Sequence, residues 1–167
     1  RIEPSSTTKI TYSIHYNHPL IQTQTYAYEH SVHAFEREIA DARTFGFMQE
    51  VEALWARGLG KGGSLDNTII LSQDGILNES GLRFTNEFVR HKILDLIGDL
   101  MLAGSFVCGK VYARKSGHNL NHELVRKHWP KRRGEPPKNM LSGVPAHVDG
   151  LMLETAARAG GRIINSD

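Results

Sequence analysis

Cysteine is almost absent from this sequence, since Cys108 is the only one among 167 residues. One cysteine excludes an internal disulfide and a zinc site built from several thiolates, and it fits a reducing compartment. Long apolar runs are also lacking, because Asp95, Asp99 and glycines interrupt the most apolar stretch, residues 93–106, well short of the roughly 20 apolar residues of a membrane span. The residues after Arg1 do not have the pattern of a secretory signal. We therefore expect a cytoplasmic protein, and we expect further residues before Arg1.

A large excess of charge of either sign is lacking too, since the formal net charge is only +2. Apolar residues at 40% and charged residues at 23% are ordinary for a globular protein, so composition excludes neither an enzyme nor a binding module. Positive charge is concentrated in residues 126–138, which contain six lysines or arginines and one glutamate. This patch leaves binding to nucleic acid or an anionic membrane open. Because no aromatic platform accompanies it, we expect no nucleic-acid partner.

Periodic patterns predict an α+β fold. Residues 9–16 alternate apolar and polar side chains as a half-buried strand does, and residues 23–30 are predicted to pair with them across a turn at residues 17–19. Four segments have helical patterns with suitable caps, and they are residues 31–42, 48–58, 85–104 and 117–128. Strand pairs that alternate with helices favour a two-layer sandwich of helices packed on a β-sheet, with a small inserted strand-helix unit.

Shorter patterns predict the inserted unit and a further strand. A β-branched strand at residues 68–71, followed by the turn Asp74-Gly75, predicts a small hairpin. Residues 106–114 are predicted as a strand in which Cys108 is a core residue. The glycine-rich residues 58–64 do not follow the order of a phosphate-binding P-loop, so we expect no nucleotide loop there.

Composition divides the chain near Trp129. Residues 1–129 have the periodic patterns of a domain, residues 130–138 form a basic, proline-rich linker, and residues 139–167 are an unassigned tail. The tail has one helical pattern at residues 151–159 and a short strand pattern at residues 162–164. It is faintly similar to a segment of flavin-dependent dehydrogenases of the fumarate-reductase type, but it lacks a nucleotide-binding glycine motif, and we infer no flavin.

The segment FVRHKILDLIGD places His91, Asp95 and Asp99 four residues apart, on one face of the predicted long helix and opposite its apolar face. An imidazole and a carboxylate at this spacing can bind one ion, as the two histidines of an HExxH helix do. The same pattern is typical of the solvated face of an amphipathic helix, and spacing alone favours that interpretation. A catalytic zinc also needs a third protein ligand, and no other histidine has a spacing that selects it.

Two further residues are weaker candidates. His118 lies in KSGHNLNH at the start of a predicted helix, where it either faces a substrate or is simply a polar residue near a cap. Thr44 lies in ARTFGF between two predicted helices, where its hydroxyl either donates to a developing oxyanion or caps a turn.

Three motifs in order, ARTFGF, HKILD and KSGH, together with the NHP turn, closely resemble the second domain of the UDP-3-O-acyl-N-acetylglucosamine deacetylases, zinc enzymes of lipid A biosynthesis. The resemblance extends from about Lys9 to His128. It implies that His91 and Asp95 bind zinc, that His118 is the electropositive partner or general acid, and that Asp99 orients His118. It also implies that Thr44 hydrogen-bonds near the reacting oxygen.

The resemblance further implies a set of substrate contacts. Lys92 and Lys115 lie towards the UDP diphosphate, and Phe45 borders the sugar. The inserted unit forms a passage for the acyl chain, and the residues expected to line it are Met48, Val51, Trp55, Leu65 and Ile70. The expected ligand is UDP-3-O-acyl-N-acetylglucosamine, and its acyl chain implies a peripheral contact with a membrane.

The family's third zinc ligand, a histidine, and its general-base glutamate belong to the first domain, which this sequence does not contain. The resemblance therefore implies that first domain as a partner. We expect the isolated chain to bind zinc weakly and to have little or no deacetylase activity. The alternative is a non-catalytic module of the same fold that binds the UDP-linked acyl sugar without turning it over.

Overall fold

The computed structural model describes residues 1–58, 62–104 and 106–138. Its strands are β1 (Ile2–Glu3), β2 (Lys9–His15), β3 (Thr23–Glu29), β4 (Thr44–Phe47), β5 (Thr68–Leu71) and β6 (Lys110–Arg114). Its helices are α1 (Val32–Glu38), α2 (Met48–Ala56), α3 (Glu87–Met101) and α4 (His118–Lys127), and a 3-10 turn follows at Lys131–Arg133. Within the described ranges, no helix combines the length and apolar character needed to cross a membrane.

The main sheet has the strand order β1-β6-β2-β3. Strand β6 pairs in parallel with β2, and the other two neighbouring pairs are antiparallel. The alternation predicted for β2 is confirmed, because Ile10, Tyr12 and Ile14 are buried on one face of the sheet. This face carries the sheet's contribution to the core.

Helix α3 packs across that face and supplies the other half of the core. Its apolar residues Phe88, Val89, Ile93, Leu96 and Leu100 join one cluster with the buried residues of β2. Helix α4 packs against α3. The predicted α+β sandwich of helices on a sheet is therefore confirmed, and the long helix brings His91, Asp95 and Asp99 close to the loop that precedes α4.

The inserted unit is a β-α-β arrangement, in which β4 and β5 pair in parallel and α2 connects them. ARTFGF was predicted as a connection between helices, and this prediction was wrong, because residues 44–47 form β4 by pairing with Thr68–Leu71, more than twenty residues away in sequence. Strand β5 was predicted correctly. The prediction of a second strand after the turn was wrong. The described residues that follow the turn form an isolated antiparallel bridge, between Ile76 and Leu71, instead of a strand.

Local signals at helix ends were predicted well. The Ser31 hydroxyl caps α1 by accepting from the Ala34 amide at 3.0 Å. Gly58 has the left-handed φ of 71° expected of a residue after a helix end. The prediction for Cys108 was wrong, because this residue is exposed and precedes β6 instead of lying in the core.

The described part of the basic segment follows α4 closely. After the 3-10 turn, the Arg126 guanidinium donates to the carbonyl oxygens of Pro137 and Lys138, at 3.4 and 3.2 Å. The helix predicted at 151–159 and the strand predicted at 162–164 lie outside the described residues.

Candidate metal and acid-base site

The first pair of the site is His91 and Asp95, one turn apart on α3. His91 Nε2 lies 3.2 Å from Asp95 Oδ1, and their side chains are only 15% and 14% exposed. Asp99, one turn further on, is 3% exposed. This face of α3 is therefore largely shielded from solvent, and the interpretation as a solvated helix face is wrong.

A backbone carbonyl fixes the tautomer of His91. His91 Nδ1 lies 3.0 Å from the carbonyl oxygen of Ala42, and because a carbonyl only accepts, Nδ1 carries the proton. The other nitrogen, Nε2, lies on the side of Asp95: it donates to Asp95 Oδ1 when the ring is protonated, and it has a lone pair there when the ring is neutral. This is the arrangement in which histidines bind metals in proteins, with the second nitrogen donating to a carbonyl or carboxylate.

Asp95 remains ionised although it is largely buried. Burial raises the pKa of this carboxyl, but His91 and Lys92 outweigh burial and hold the pKa well below its usual range. Lys92 Nζ lies 2.6 Å from Asp95 Oδ2, so this ammonium group is close to the pair. An imidazole lone pair and an ionised carboxylate that face one space form a suitable donor set for a divalent cation such as zinc.

The second pair of the site is His118 and Asp99, which come from different helices. His118 Nδ1 donates to both carboxylate oxygens of Asp99, at 2.8 and 3.0 Å. His118 Nε2 points the other way and lies 3.9 Å from Asp95 Oδ2. One buried carboxylate therefore orients an imidazole whose outer nitrogen faces the His91–Asp95 pair.

The loop before α4 is held by a chain of hydrogen bonds. Asn121 Nδ2 donates to Asp99 Oδ2 at 2.8 Å, and the side-chain oxygen Oδ1 of Asn121 accepts from Ser116 Oγ at 2.7 Å. The Tyr12 hydroxyl donates to the Ser116 carbonyl at 2.7 Å. Burial raises the pKa of the Tyr12 phenol well above its usual range, so this donor stays protonated. The roles of Tyr12 and Asn121 were not predicted, because their partners Ser116 and Asp99 lie 104 and 22 positions away in sequence.

A buried ion pair holds the segment that supplies the Ala42 carbonyl. Glu87, at the start of α3, accepts from the backbone amide and the Nε of Arg43, both at 2.9 Å, and from the Arg83 amide at 2.6 Å. The side chains of Arg43 and Glu87 are 4% and 0% exposed. This Arg43–Glu87 clamp ties residues 42–44 to α3 close to His91. It was not predicted from the sequence.

Asp99, His118 and His122 form a second cluster that could hold a metal ion, since each offers one ligand atom and these atoms lie within 4.8 Å of one another. Their contacts favour a hydrogen-bonded cluster, because a carboxylate accepts and the ring nitrogens that face Asp99 are placed to donate. The Asn121 amide donates to the same carboxylate, which adds a third donor. The His91–Asp95 pair differs in that the Ala42 carbonyl already accepts from His91 Nδ1, so Nε2 of the neutral ring and the Asp95 carboxylate are both available to a cation.

The remaining predicted polar and aromatic residues lie on β4 and in the loop before α4. Thr44 is exposed at the start of β4. Phe45 packs edge-on against Phe88, with ring centroids 5.0 Å apart, and its ring is 6.4 Å from that of His91. Lys115 is exposed and has a left-handed backbone, with φ of 49°, three residues before His118.

The residues predicted to line an acyl passage differ in exposure. Met48 and Val51 are half-buried on α2, whereas Trp55 and Leu65 are 56% and 50% exposed. Ile70 is 9% exposed in the middle of β5. The inserted unit therefore presents large apolar side chains at its surface, whereas Ile70 is buried.

An open pocket of about 580 Å³ lies at the turn between β2 and β3, and the sequence analysis did not predict it. The residues that line it are His15, Tyr16, Asn17, His18, Pro19, Gln22 and Thr23. Tyr16 also packs edge-on against Phe45, with centroids 5.5 Å apart, which connects the pocket wall to the site.

An α+β domain in which a shielded His–Asp pair faces a carboxylate-backed histidine has the features of a metal-dependent hydrolase. The family model described as UDP-3-O-acyl N-acetylglycosamine deacetylase matches residues 1–129. The chain belongs to this family, which confirms the resemblance noted in its motifs.

Curated relatives agree with the family assignment. Over 146 residues the chain is 47% identical to a protein of Syntrophus aciditrophicus, an alignment that covers 87% of this chain and 46% of the relative. Over 128 residues it is 52% identical to a protein of Xanthomonas campestris, covering 75% of this chain and 42% of the relative. Both relatives are named UDP-3-O-acyl-N-acetylglucosamine deacetylase. The chain spans less than half the length of these relatives.

Proposed function

We propose that residues 1–129 are the portion of a zinc-dependent deacetylase that supplies two metal ligands and the acid-base histidine for removing the N-acetyl group of UDP-3-O-acyl-N-acetylglucosamine in lipid A biosynthesis. The observation that carries the proposal is the convergence of two pairs, His91–Asp95 and His118–Asp99, on one shielded space. Family membership supports the choice of reaction. The basic, proline-rich residues 130–138 and the tail 139–167 lie outside this unit.

His91 and Asp95 would hold the zinc ion. Zinc supplies Lewis-acid polarisation of the acetamide carbonyl and lowers the pKa of a bound water. The hydrogen bond from His91 Nδ1 to the Ala42 carbonyl keeps Nε2 available as a ligand, and the low pKa of Asp95 keeps its carboxylate ionised. The third ligand, a histidine, and the general-base glutamate would come from the part of the enzyme that corresponds to the uncovered length of the relatives.

His118 would act on the substrate with the support of Asp99. A protonated His118 stabilises the negative charge that develops on the acetamide oxygen, and its Nε2 proton passes to the departing amine. Asp99 accepts from Nδ1 and thereby keeps Nε2 directed at the site. Thr44, exposed at the start of β4, would donate its hydroxyl to the same oxygen.

The substrate contacts follow from the family resemblance and from exposure. Lys115 is free to approach a diphosphate, whereas Lys92 contributes its charge from beside Asp95. Phe45 would border the sugar. Met48, Val51, Trp55, Leu65 and Ile70 would form the acyl passage on the inserted unit. The exposed apolar groups there favour peripheral contact with a membrane from the cytoplasm.

Replacing His91 by alanine will weaken zinc binding by the chain by at least about 100-fold. It removes a ligand, and loss of an outer-sphere partner alone costs roughly 10–100-fold. Zinc affinity is measured by competition with a chromophoric chelator. His33→Ala is the matched control, because His33 is exposed on α1 and should keep the affinity of the unaltered chain.

Activity is measured with the remaining portion of the Syntrophus aciditrophicus relative added as a separate polypeptide. We expect acetate release that requires both polypeptides and is lost in His91→Ala. Release that is unaffected by His91→Ala would contradict the assignment. Binding of the UDP-linked acyl sugar without any turnover, even in the complemented sample, would favour the non-catalytic module.

A further inference from the structure

His122 is a buried histidine for which the proposed function has no role. It is 5% exposed on α4, and its Nε2 lies 3.1 Å from Asp99 Oδ1. Its ring centroid is 6.1 Å from that of His118. Asp99 therefore contacts two imidazoles, of which only His118 faces the His91–Asp95 pair.

The donors around Asp99 are arranged on both sides of its carboxylate. His118 Nδ1 lies between the two oxygens, at 3.0 Å from Oδ1 and 2.8 Å from Oδ2. His122 Nε2 contacts Oδ1, and Asn121 Nδ2 contacts Oδ2 at 2.8 Å. A carboxylate turns readily about its terminal torsion, and a donor on each outer flank opposes rotation in either direction.

The two flanking donors are not equivalent. Asn121 is itself fixed by the Ser116 hydroxyl, which donates to its amide oxygen at 2.7 Å. If His122 were lost, Asn121 would remain on Oδ2 while Oδ1 would have only its shared contact with His118. The carboxylate could then turn towards Asn121 and away from the plane of the His118 ring.

We propose that His122 is a positioning residue, which fixes the Asp99 carboxylate and thereby keeps the proton of His118 on Nδ1. The inference deepens the proposed function, because with one proton held on Nδ1, Nε2 of His118 is the nitrogen that carries the proton given to the departing amine. It concerns hydrogen bonds of Asp99 alone, so it can hold even if His91 and Asp95 bind no zinc.

The test uses the nitrogen chemical shifts of the His118 side chain in the ¹⁵N-labelled chain, at a pH where its ring is neutral. His122→Gln retains an N–H donor about where Nε2 lies, and His122→Leu removes it. In the unaltered chain and in His122→Gln, the Nδ1-protonated tautomer should predominate. In His122→Leu, the ratio of the Nδ1-protonated to the Nε2-protonated form should fall about tenfold. This figure is the lower end of the roughly 10–100-fold effects that follow when a hydrogen-bond partner behind a site residue is removed.

Glu123→Gln, an exposed change at the neighbouring position of α4, is the control and should leave the ratio unchanged. If His122→Leu does not fold, His122→Asn takes its place, since the shorter amide cannot reach Oδ1. An unchanged tautomer ratio in a folded His122→Leu or His122→Asn chain would overturn the inference. So would a fall in His122→Gln as large as in His122→Leu, because the ring's packing would then be what matters. Zinc affinity, measured in parallel, tests the proposed function separately.

Discussion

Replacing Glu87 by glutamine will lower the free energy of unfolding by about 3–5 kcal/mol, the cost of leaving one partner of a buried ion pair uncompensated. The Arg43 guanidinium is 4% exposed and has Glu87 as its carboxylate partner. A glutamine has only one acceptor oxygen, and its NH₂ group would face either the Arg43 side or the Arg83 amide, both of which are donors. Urea unfolding measures the loss.

The loss of unfolding free energy in Glu87→Gln should depend on pH, and it should become smaller in acid. Burial raises the pKa of Glu87, but hydrogen bonds from the Arg43 side chain and from the Arg43 and Arg83 amides outweigh burial and lower the pKa below its ordinary value of 4.5. The carboxylate therefore contributes its full stabilisation above about pH 4.5, and the contribution is lost as the pH falls through the lowered pKa. The difference between the unaltered chain and Glu87→Gln should be constant at neutral pH and should shrink in acid.

Two further variants separate the ion pair from general damage. Glu50→Gln, an exposed change on α2, should alter stability by less than about 0.5 kcal/mol. The double change Arg43→Leu with Glu87→Met should recover part of the loss, because no buried charge remains, but the amides of Arg43 and Arg83 would still lack their acceptor. A loss in Glu87→Gln no larger than that in Glu50→Gln would contradict this account.

The clamp also concerns the metal site. It fixes residues 42–44 on α3, and the Ala42 carbonyl that accepts from His91 Nδ1 belongs to that segment. A chain with Glu87→Gln that still folds should therefore bind zinc more weakly, by roughly the 10–100-fold typical of lost outer-sphere support.

Replacing Phe88 by alanine will destabilise the chain by about 3–5 kcal/mol, the range measured for truncating a buried aromatic residue. Phe88 is 0% exposed in the core between α3 and the sheet. Its ring also supports Phe45 in an edge-on contact, with centroids 5.0 Å apart and planes at 83°. The cavity left by the Phe88 ring would therefore lie directly beneath Phe45, which we place beside the sugar.

The midpoint of urea unfolding should fall while its slope stays the same, which would show a loss of stability without a change in the surface exposed on unfolding. Phe106→Ala is a control of the same residue type, since Phe106 is 58% exposed, and its cost should be less than about 1 kcal/mol. Similar costs for the two variants would show that the core does not depend on Phe88 as described.

Local sequence determined most of the elements. The period of two in β2, the Ser31 cap of α1 and the left-handed Gly58 after α2 depend on neighbouring residues, so they could be read directly. The spacing of His91, Asp95 and Asp99 on one helix face is equally local. The prediction for Cys108 was wrong because β6 begins only at Lys110, and an apolar run does not specify where a strand begins.

The sequence by itself thus determined the main helices and strands, the family, and the chemical types of the site residues. Only the tertiary structure decided that the polar face of α3 is shielded, that Asn121 and His122 join His118 on Asp99, and that β4 pairs with β5. It also revealed the Arg43–Glu87 clamp, which joins residues 44 positions apart. These contacts arise only when distant segments pack together, whereas periodicity and capping report interactions within a few residues of the chain.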